Sequence, residues 1–329
     1  MSNDLIFYQR LADLLTQEAV AIATVIQTQG SVPREVGAKL MFWGDRHTFG
    51  TIGGGVGEAK VLRQAEQVLA TGHKQQVTID LSGAPNRDIQ GVCGGQMQVW
   101  VERWQGEGAI ALAHQILSAL NNSQSITLMI PLSQEYFPYV ALSPRVTSPF
   151  SDVMESVSGL PRTQTIQLTL QPLPTLLIVG GGHCGIELAK AADFSGFQVM
   201  VQDERSEWAN RANFPQASCL FNQPIVEIAD ELVRYEQLYV ALVTRGLDYD
   251  LPVLRLLFQS SISCRYIGMM GSQKRIQIAL KAMEPYNIDP EKLNMLYAPI
   301  GLDIGALTPE EIAISICAEL IRVRRSTKG

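Results

Sequence analysis

An α/β architecture in two domains is what this sequence predicts, on three observations. The chain has 329 residues, enough for two cores at roughly 150 residues per domain. Its first half reads as short strands separated by helices, the signature of an α+β domain with a mixed or antiparallel sheet. Its second half alternates continuous apolar runs with helical patterns, which predicts a Rossmann-like parallel sheet covered by helices on both faces. The border is expected near residue 172, giving domains of 1–171 and 172–329.

In the first half, "DLIFYQRLADLL" has helical spacing and "AVAIATVI" is a β-rich run of buried type. "KLMFWGDRHTFGTI" predicts a hairpin turning at Gly44 and Asp45. From Glu58, "EAKVLRQAEQVLATG" follows the helical period and stops at Gly72, a suitable C′ glycine. Strands resume with "QQVTIDL", "QMQVWVERW", "SITLMIPL" and "TIQLTL". Before the last of these, residues 143–164 are rich in serine and proline without a clean period and read as a connecting stretch.

In the second half the strands are "TLLIV", "FQVMVQD", "LYVALVT" and "CRYIGMMG", with helices expected from about 184, near 226–235, near 250–259 and after Gly271. The closing helix, "LTPEEIAISICAELIRVRR", has a well-marked start. Thr308 caps it, Pro309 fits the first turn, and Glu311 completes a capping box.

Composition narrows the function. An apolar share of 46% and a charged share of 18% are ordinary for a compact globular chain. A net charge of −6 offers no basic footprint, which excludes nucleic acid and anionic membrane as the main partner. The N-terminal sequence lacks the pattern of a signal peptide and no apolar run approaches the length of a membrane span, so a cytoplasmic location is expected. The five cysteines form no CxxC pair, which argues against a disulfide framework and a structural zinc site.

The sharpest motif is "TLLIVGGGHCGIELAK", in which Gly180, Gly182 and Gly185 satisfy GxGxxG at the junction of a strand and a helix. Without side chains, backbone N–H groups at a helix N-terminus approach a phosphate closely; the bland alternative is that the glycines only let helix and strand pack tightly. Asp203 ends the next strand 18 residues after Gly185 and suits either a ribose hydroxyl or the cap of a following helix. His183 faces a bound ligand if exposed, whereas Cys184 is expected to pack. Ser272 is an expected N-cap; Lys274 and Arg275 behind it oppose the helix dipole, which suggests an anion site, against plain surface charge. Asp248 and Asp250 follow a strand end, where capping is favoured over metal binding.

The first half has its own glycine loops, "TQGSVPREVGAKL", "GTIGGGVGEAK" and "GVCGGQMQVWVE". Each glycine inside structure costs about 0.5–1 kcal/mol relative to alanine, and close approach to a ligand offsets that cost. Arg34 suits an anionic group. Glu58 opens a helix behind Gly53, Gly54 and Gly55, and Cys93 precedes Gly94 and Gly95. A glycine-flanked thiol among amide dipoles suits a soft-metal ligand or sulfur nucleophile, while a lone cysteine at a strand start also suits simple burial.

Read together, "GSVPREVGAKL", "GTIGGGVGE", "VCGG", "LLIVGGGHCG", "VQDERSEWANRANFP", "VTRGLDYD", "YIGMMGSQKR" and "GLDIGALTPEEIAISICAELIRVRR" resemble the XdhC/CoxI family of xanthine dehydrogenase accessory proteins, in family order from about residue 30 to 325. The resemblance implies a non-catalytic chaperone that binds molybdenum cofactor, a pterin phosphate carrying a dithiolene-bound metal. It also implies sulfur supplied by a cysteine desulfurase, delivery to an apo xanthine dehydrogenase or related molybdenum hydroxylase, and a homodimer. Cys93 then lies near the metal or handles sulfur. Arg34 and Glu58 shape the pterin site, and Gly180, Gly182 and Gly185 take a phosphate or the nucleotide form, the site being expected in a cleft between the two halves. Leu247 stands where relatives often have histidine. Two other readings use the same turn, an NAD(P)-dependent oxidoreductase and a nucleotide-sensing scaffold.

Overall fold

The structure is a computed structural model describing residues 4–81, 94–141, 164–286, 288, 290–293 and 295–326. Cys93 and nearly all of the serine- and proline-rich stretch lie outside the described residues. Two compact units are present, a first ending at Gln171 and a second beginning at Pro172 that also takes in Asn122–Gln124.

The first unit contains α1 (Asp4–Leu15), β1 (Val20–Gln29), β2 (Lys39–Trp43), β3 (His47–Gly50), α2 (Gly55–Thr71), β4 (Gln75–Asp80), β5 (Gln96–Trp104), α3 (Gly106–Asn121), β6 (Ile126–Pro131), β7 (Tyr139–Val140) and β8 (Thr165–Leu170). Its described strands make a sheet in the order β3-β2-β1-β5-β4 and a smaller one in the order β7-β6-β8, antiparallel throughout. β1 is apolar along most of its length because both of its faces are covered. Val20, Ile22 and Ile26 pack with Phe7, Leu11 and Ile116 of α1 and α3, whereas Ala21, Ala23 and Val25 pack with Val61, Ala65 and Val68 of α2. The β2–β3 hairpin forms as expected, with Gly44 and Arg46 at positive φ. α2 begins three residues before Glu58 and ends as expected on left-handed Gly72, whose amide donates to the Val68 carbonyl at 2.8 Å.

The second unit contains β9 (Thr175–Val179), α4 (His183–Phe194), β10 (Gln198–Gln202), β11 (Cys219–Phe221), α5 (Ala229–Leu232), β12 (Leu238–Leu242), α6 (Leu247–Gln259), β13 (Cys264–Met269), α7 (Gln273–Met283), α8 (Pro290–Leu293), β14 (Leu296–Tyr297) and α9 (Pro309–Ser326). Its parallel sheet runs β11-β10-β9-β12-β13-β14, the doubly wound order in which the first strand lies beside the second and the fourth. One face is covered by α4 and α9 and the other by α6 and α7. This is the expected Rossmann-like sheet, with its switch point between β9 and β12, where Val179 pairs with Leu242.

Three local expectations change. The segment near 226–235 holds a 3-10 turn, Ile225–Ile228, and only the four residues of α5. β11 and β14, three and two residues long, are edge strands too short for a period of two to register. α6 begins at Leu247, ahead of the expected start. The capping box of α9 is formed: the Glu311 amide donates to Thr308 Oγ1 at 3.3 Å, and the Thr308 amide to Glu311 Oε2 at 3.1 Å. Among the described residues, no helix is long and apolar enough to cross a membrane.

Candidate functional site

The strand-end crevice at the switch point of the second unit is a pocket of about 440 Å³, within the range of small-molecule sites. Gly180, Gly182 and His183 form one wall, Thr244, Arg245 and Tyr249 another, and Asp203 and Arg205 line it from the end of β10. Ile225, Pro252 and Val253 supply apolar surface. α4 points its N-terminus into this space, where the first amides of a helix lack intrahelical acceptors and attract anions.

The glycines of the turn do different work. A Cβ on Gly185 would lie 2.1 Å from the Gly180 carbonyl oxygen, and one on Gly180, at φ +113°, would lie 2.8 Å from the Val243 carbonyl oxygen. These two let α4 and the β12 end close on β9. Gly182, by contrast, has nothing within 4 Å of an added Cβ and lines the pocket. Tight packing and ligand access are therefore both built into the motif, at separate positions.

Asp203 follows the end of β10 and lines the pocket. It is 9% exposed. Its Oδ2 accepts from the Gly181 amide at 2.8 Å and from Arg205 Nη2 at 2.6 Å; its Oδ1 accepts from the Arg205 amide at 3.0 Å and Nε at 2.9 Å. A carboxylate has about four acceptor positions, and all are taken. Asp203 staples the glycine turn to the end of β10.

Burial alone raises the Asp203 pKa, but the hydrogen bonds from Arg205 and the Gly181 amide outweigh it and hold the carboxyl below its usual range. A carboxylate lowered in the folded state contributes stability above its unfolded pKa and loses it as pH falls through the folded value. Thermal melts of the wild type and Asp203→Asn are therefore expected to differ by a constant amount from neutral pH down to about pH 5, the gap closing below about pH 4. A gap that widens on acidification would contradict this staple.

Sequence reading missed Arg205, whose guanidinium lies 5.4 Å from the Trp208 ring centroid, and Arg245, which lies 4.8 Å from that of Tyr249 and donates to its hydroxyl. The i, i+3 spacing of Arg205 and Trp208 and the i, i+4 spacing of Arg245 and Tyr249 were the available signals. His183 is exposed, lines the pocket and meets Trp208 edge-on, with centroids 5.5 Å apart. Cys184 is half-buried, and burial pushes its thiol pKa up, which opposes thiolate chemistry.

Ser272 caps α7, its Oγ accepting from the Arg275 amide at 3.3 Å. Arg275, expected at an anion site, has internal partners. Its Nε and Nη2 donate to Asp250 Oδ2 at 2.8 and 2.5 Å, and Nη2 also donates to Thr244 Oγ1 at 2.8 Å. Asp250 is fully buried and accepts from Thr244 Oγ1 at 2.6 Å as well. The pair thus fixes the loop between β12 and α6, while Lys274 and Asp248 are exposed.

In the first unit the described residues of the three glycine loops lie at one end of the sheet, the first loop touching each of the other two. A Cβ on Gly95 would lie 2.3 Å from the Ser31 carbonyl oxygen, one on Gly30 3.2 Å from the Gly94 carbonyl oxygen, and one on Gly53 2.4 Å from Pro33 Cγ. Glu58 Oε2 accepts from Thr51 Oγ1 at 2.6 Å and from the amides of Ile52 and Gly54 at 3.0 and 3.1 Å. This oxygen fills the amide concavity that the sequence reading left open for a guest. Gly54 and Gly55 are exposed, and Arg34 is half-buried beside Gly53. Among the described residues, no group of three or more His, Cys, Asp or Glu side chains is placed to hold a metal ion.

Comparison with known proteins agrees with this architecture. Residues 176–320 match the model of the XdhC Rossmann domain. Residues 14–80 match that of the XdhC and CoxI family. The chain is 26% identical to a Bacillus subtilis protein named as a probable xanthine dehydrogenase subunit, over 97% of this chain and 98% of that protein. It is 21% identical to the molybdenum cofactor insertion chaperone PaoD of Escherichia coli, over 94% of this chain and 85% of that one. A crystal structure described as a xanthine dehydrogenase from Bacillus halodurans superposes with a TM-score of 0.81 at 25% identity, covering 99% of this chain and 97% of the other. With a characteristic N-terminal segment, the XdhC Rossmann domain and full-length relatives all in agreement, the chain belongs to the XdhC/CoxI family.

Proposed function

We propose that this chain acts in the maturation of a molybdenum hydroxylase such as xanthine dehydrogenase, with molybdenum cofactor as its cargo. The observation that carries the reading is the pocket at the β9–β12 switch point. It joins a phosphate-seeking helix N-terminus and an open Gly182 to an Asp203 already saturated by the protein itself. Such a pocket suits a phosphorylated guest, and the carboxylate at the end of β10 is held by the protein's own donors. One relative is named as a molybdenum cofactor insertion chaperone and another as a probable xanthine dehydrogenase subunit, which supports the same direction.

The metal of the cargo is already bound by the pterin dithiolene, so the chain need not enclose it in a ligand cage of its own. The binding residues in this reading are Gly180, Gly182, Gly185 and His183, with Arg205 and Arg245 at the rim. Cys93, Arg34 and the glycine loops of the first unit keep the sulfur-handling and pterin-shaping roles that the family resemblance implies, with a cysteine desulfurase, an apo-hydroxylase and a second copy of the chain as partners in the cytoplasm. Calorimetry of the full chain is expected to show molybdopterin binding at least tenfold tighter than NAD(H). NAD(H) binding as tightly, or more so, would return the pocket to the oxidoreductase reading.

A further inference from the structure

The loop from β14 into α9 presents apolar side chains where a surface loop is ordinarily polar. Leu307 is 87% exposed, Ile304 54% and Ile314 58%. Single exposed apolar residues are common, but three large ones on one short loop and the solvent side of the helix it opens are the pattern of an interaction surface. Leu307 precedes the Thr308 N-cap, the position from which an apolar side chain normally packs on the fourth residue of the helix, here Ile312. It stays almost wholly in solvent instead. Hydrogen bonds hold the loop in this posture at both ends. The Leu302 amide donates to the Ser315 carbonyl at 3.3 Å and Ser315 Oγ to the Leu302 carbonyl at 2.5 Å. The Leu307 and Thr308 amides both donate to Glu311 Oε2, at 2.8 and 3.1 Å, which sets Leu307 over the helix turn that carries Ile314.

We infer that this surface docks the hydroxylase that receives the cargo, through a patch on that partner that is apolar and ringed by lysine and arginine; the inference rests on the maturation reading. Two observations choose this occupant. The apolar side chains alternate with Asp303, Glu310 and Glu311, all exposed, while Lys190 of the packed neighbour α4 is paired with Glu187 at 2.8 Å. The rim is therefore acidic and matches basic groups opposite. A second copy of this chain seated two-fold on the same patch would set these carboxylates against their own counterparts, which costs affinity. The surface also adjoins the pocket, because Pro309, the first residue of α9, is part of the pocket wall. A protein seated on Ile304, Leu307 and Ile314 thus sits beside the pocket mouth, where a guest has only a short path from one protein to the other.

The test measures binding of the full chain to an apo xanthine dehydrogenase from the same organism by surface plasmon resonance, with molybdopterin affinity and melting temperature followed in parallel. Leu307→Ser and Ile314→Ser should each weaken docking by about tenfold or more, as truncation of a central apolar anchor does. Both should leave molybdopterin affinity and melting temperature at wild-type values, since these side chains stand largely in solvent. Asp303→Asn combined with Glu310→Gln should slow association and flatten its dependence on salt. The inference is overturned if the wild type does not dock, or if docking survives both serine variants unchanged. Loss of self-association in those variants, with hydroxylase binding intact, would overturn it too and assign the patch to a second copy. Docking that is lost in the variants, in a chain that binds no molybdopterin, would remove the cargo reading and leave the docking surface in place.

Discussion

Asp250→Ala is expected to be the most destabilising single change in the second unit, by about 3–5 kcal/mol, the usual loss when one member of a buried ion pair is removed. Asp250 is fully buried, and its carboxylate takes Arg275 through two nitrogens and Thr244 through its hydroxyl. Alanine leaves the Arg275 guanidinium, itself only 20% exposed, without its counter-charge. In a unit of this size the melting temperature should fall by roughly 10 °C. Removing both partners distinguishes a lost attraction from a stranded charge: Asp250→Ala with Arg275→Met should recover at least half of the loss, because the uncompensated cation is gone. A single mutant within about 1 kcal/mol of wild type by denaturant unfolding would show that the pair carries little.

The second large effect is expected at Gly185. A methyl group there would sit 2.1 Å from the Gly180 carbonyl oxygen, and neither atom is the free end of a flexible side chain. α4 must then move off β9, at about 3 kcal/mol, the upper part of the range for overpacking. Gly182→Ala is the contrasting change. Its Cβ meets nothing within 4 Å, and alanine in place of glycine at an N-cap should change stability by only about 0.5 kcal/mol. It does place a methyl group in the pocket wall, so a fold of ordinary stability with weakened phosphate binding is the expected outcome. Equal melting temperatures for Gly185→Ala and wild type would show that the turn is looser than its geometry states.

Both effects concern residues whose types were legible early and whose work was not. Gly180, Gly182 and Gly185 are recognisable in a chain of letters because their spacing is local, but which glycine serves packing and which serves access depends on what lies opposite: Val243, just past the end of β12, for Gly180, and open space for Gly182. Arg275 carries a charge at a helix start, a position that suggests a ligand anion. Its partner is Asp250, 25 residues away, brought into contact by the packing of α6 on α7. Glu58 and Asp203 show the same substitution of an internal carboxylate for an external anion, each satisfying glycine-loop amides from its own chain.

The sequence by itself determined the class of each half, the long strands and helices, the caps at Gly72 and Thr308, and the glycine turn, because these depend on period and on near neighbours along the chain. The antiparallel order of the first sheet, the short edge strands β11 and β14, the Arg205–Trp208 and Arg245–Tyr249 braces, and the internal partners of Asp203, Glu58 and Arg275 were decided only by tertiary structure. A hydrogen bond or ion pair is fixed by distance in space, and a carboxylate accepts from whichever donors the folded sheet brings to it.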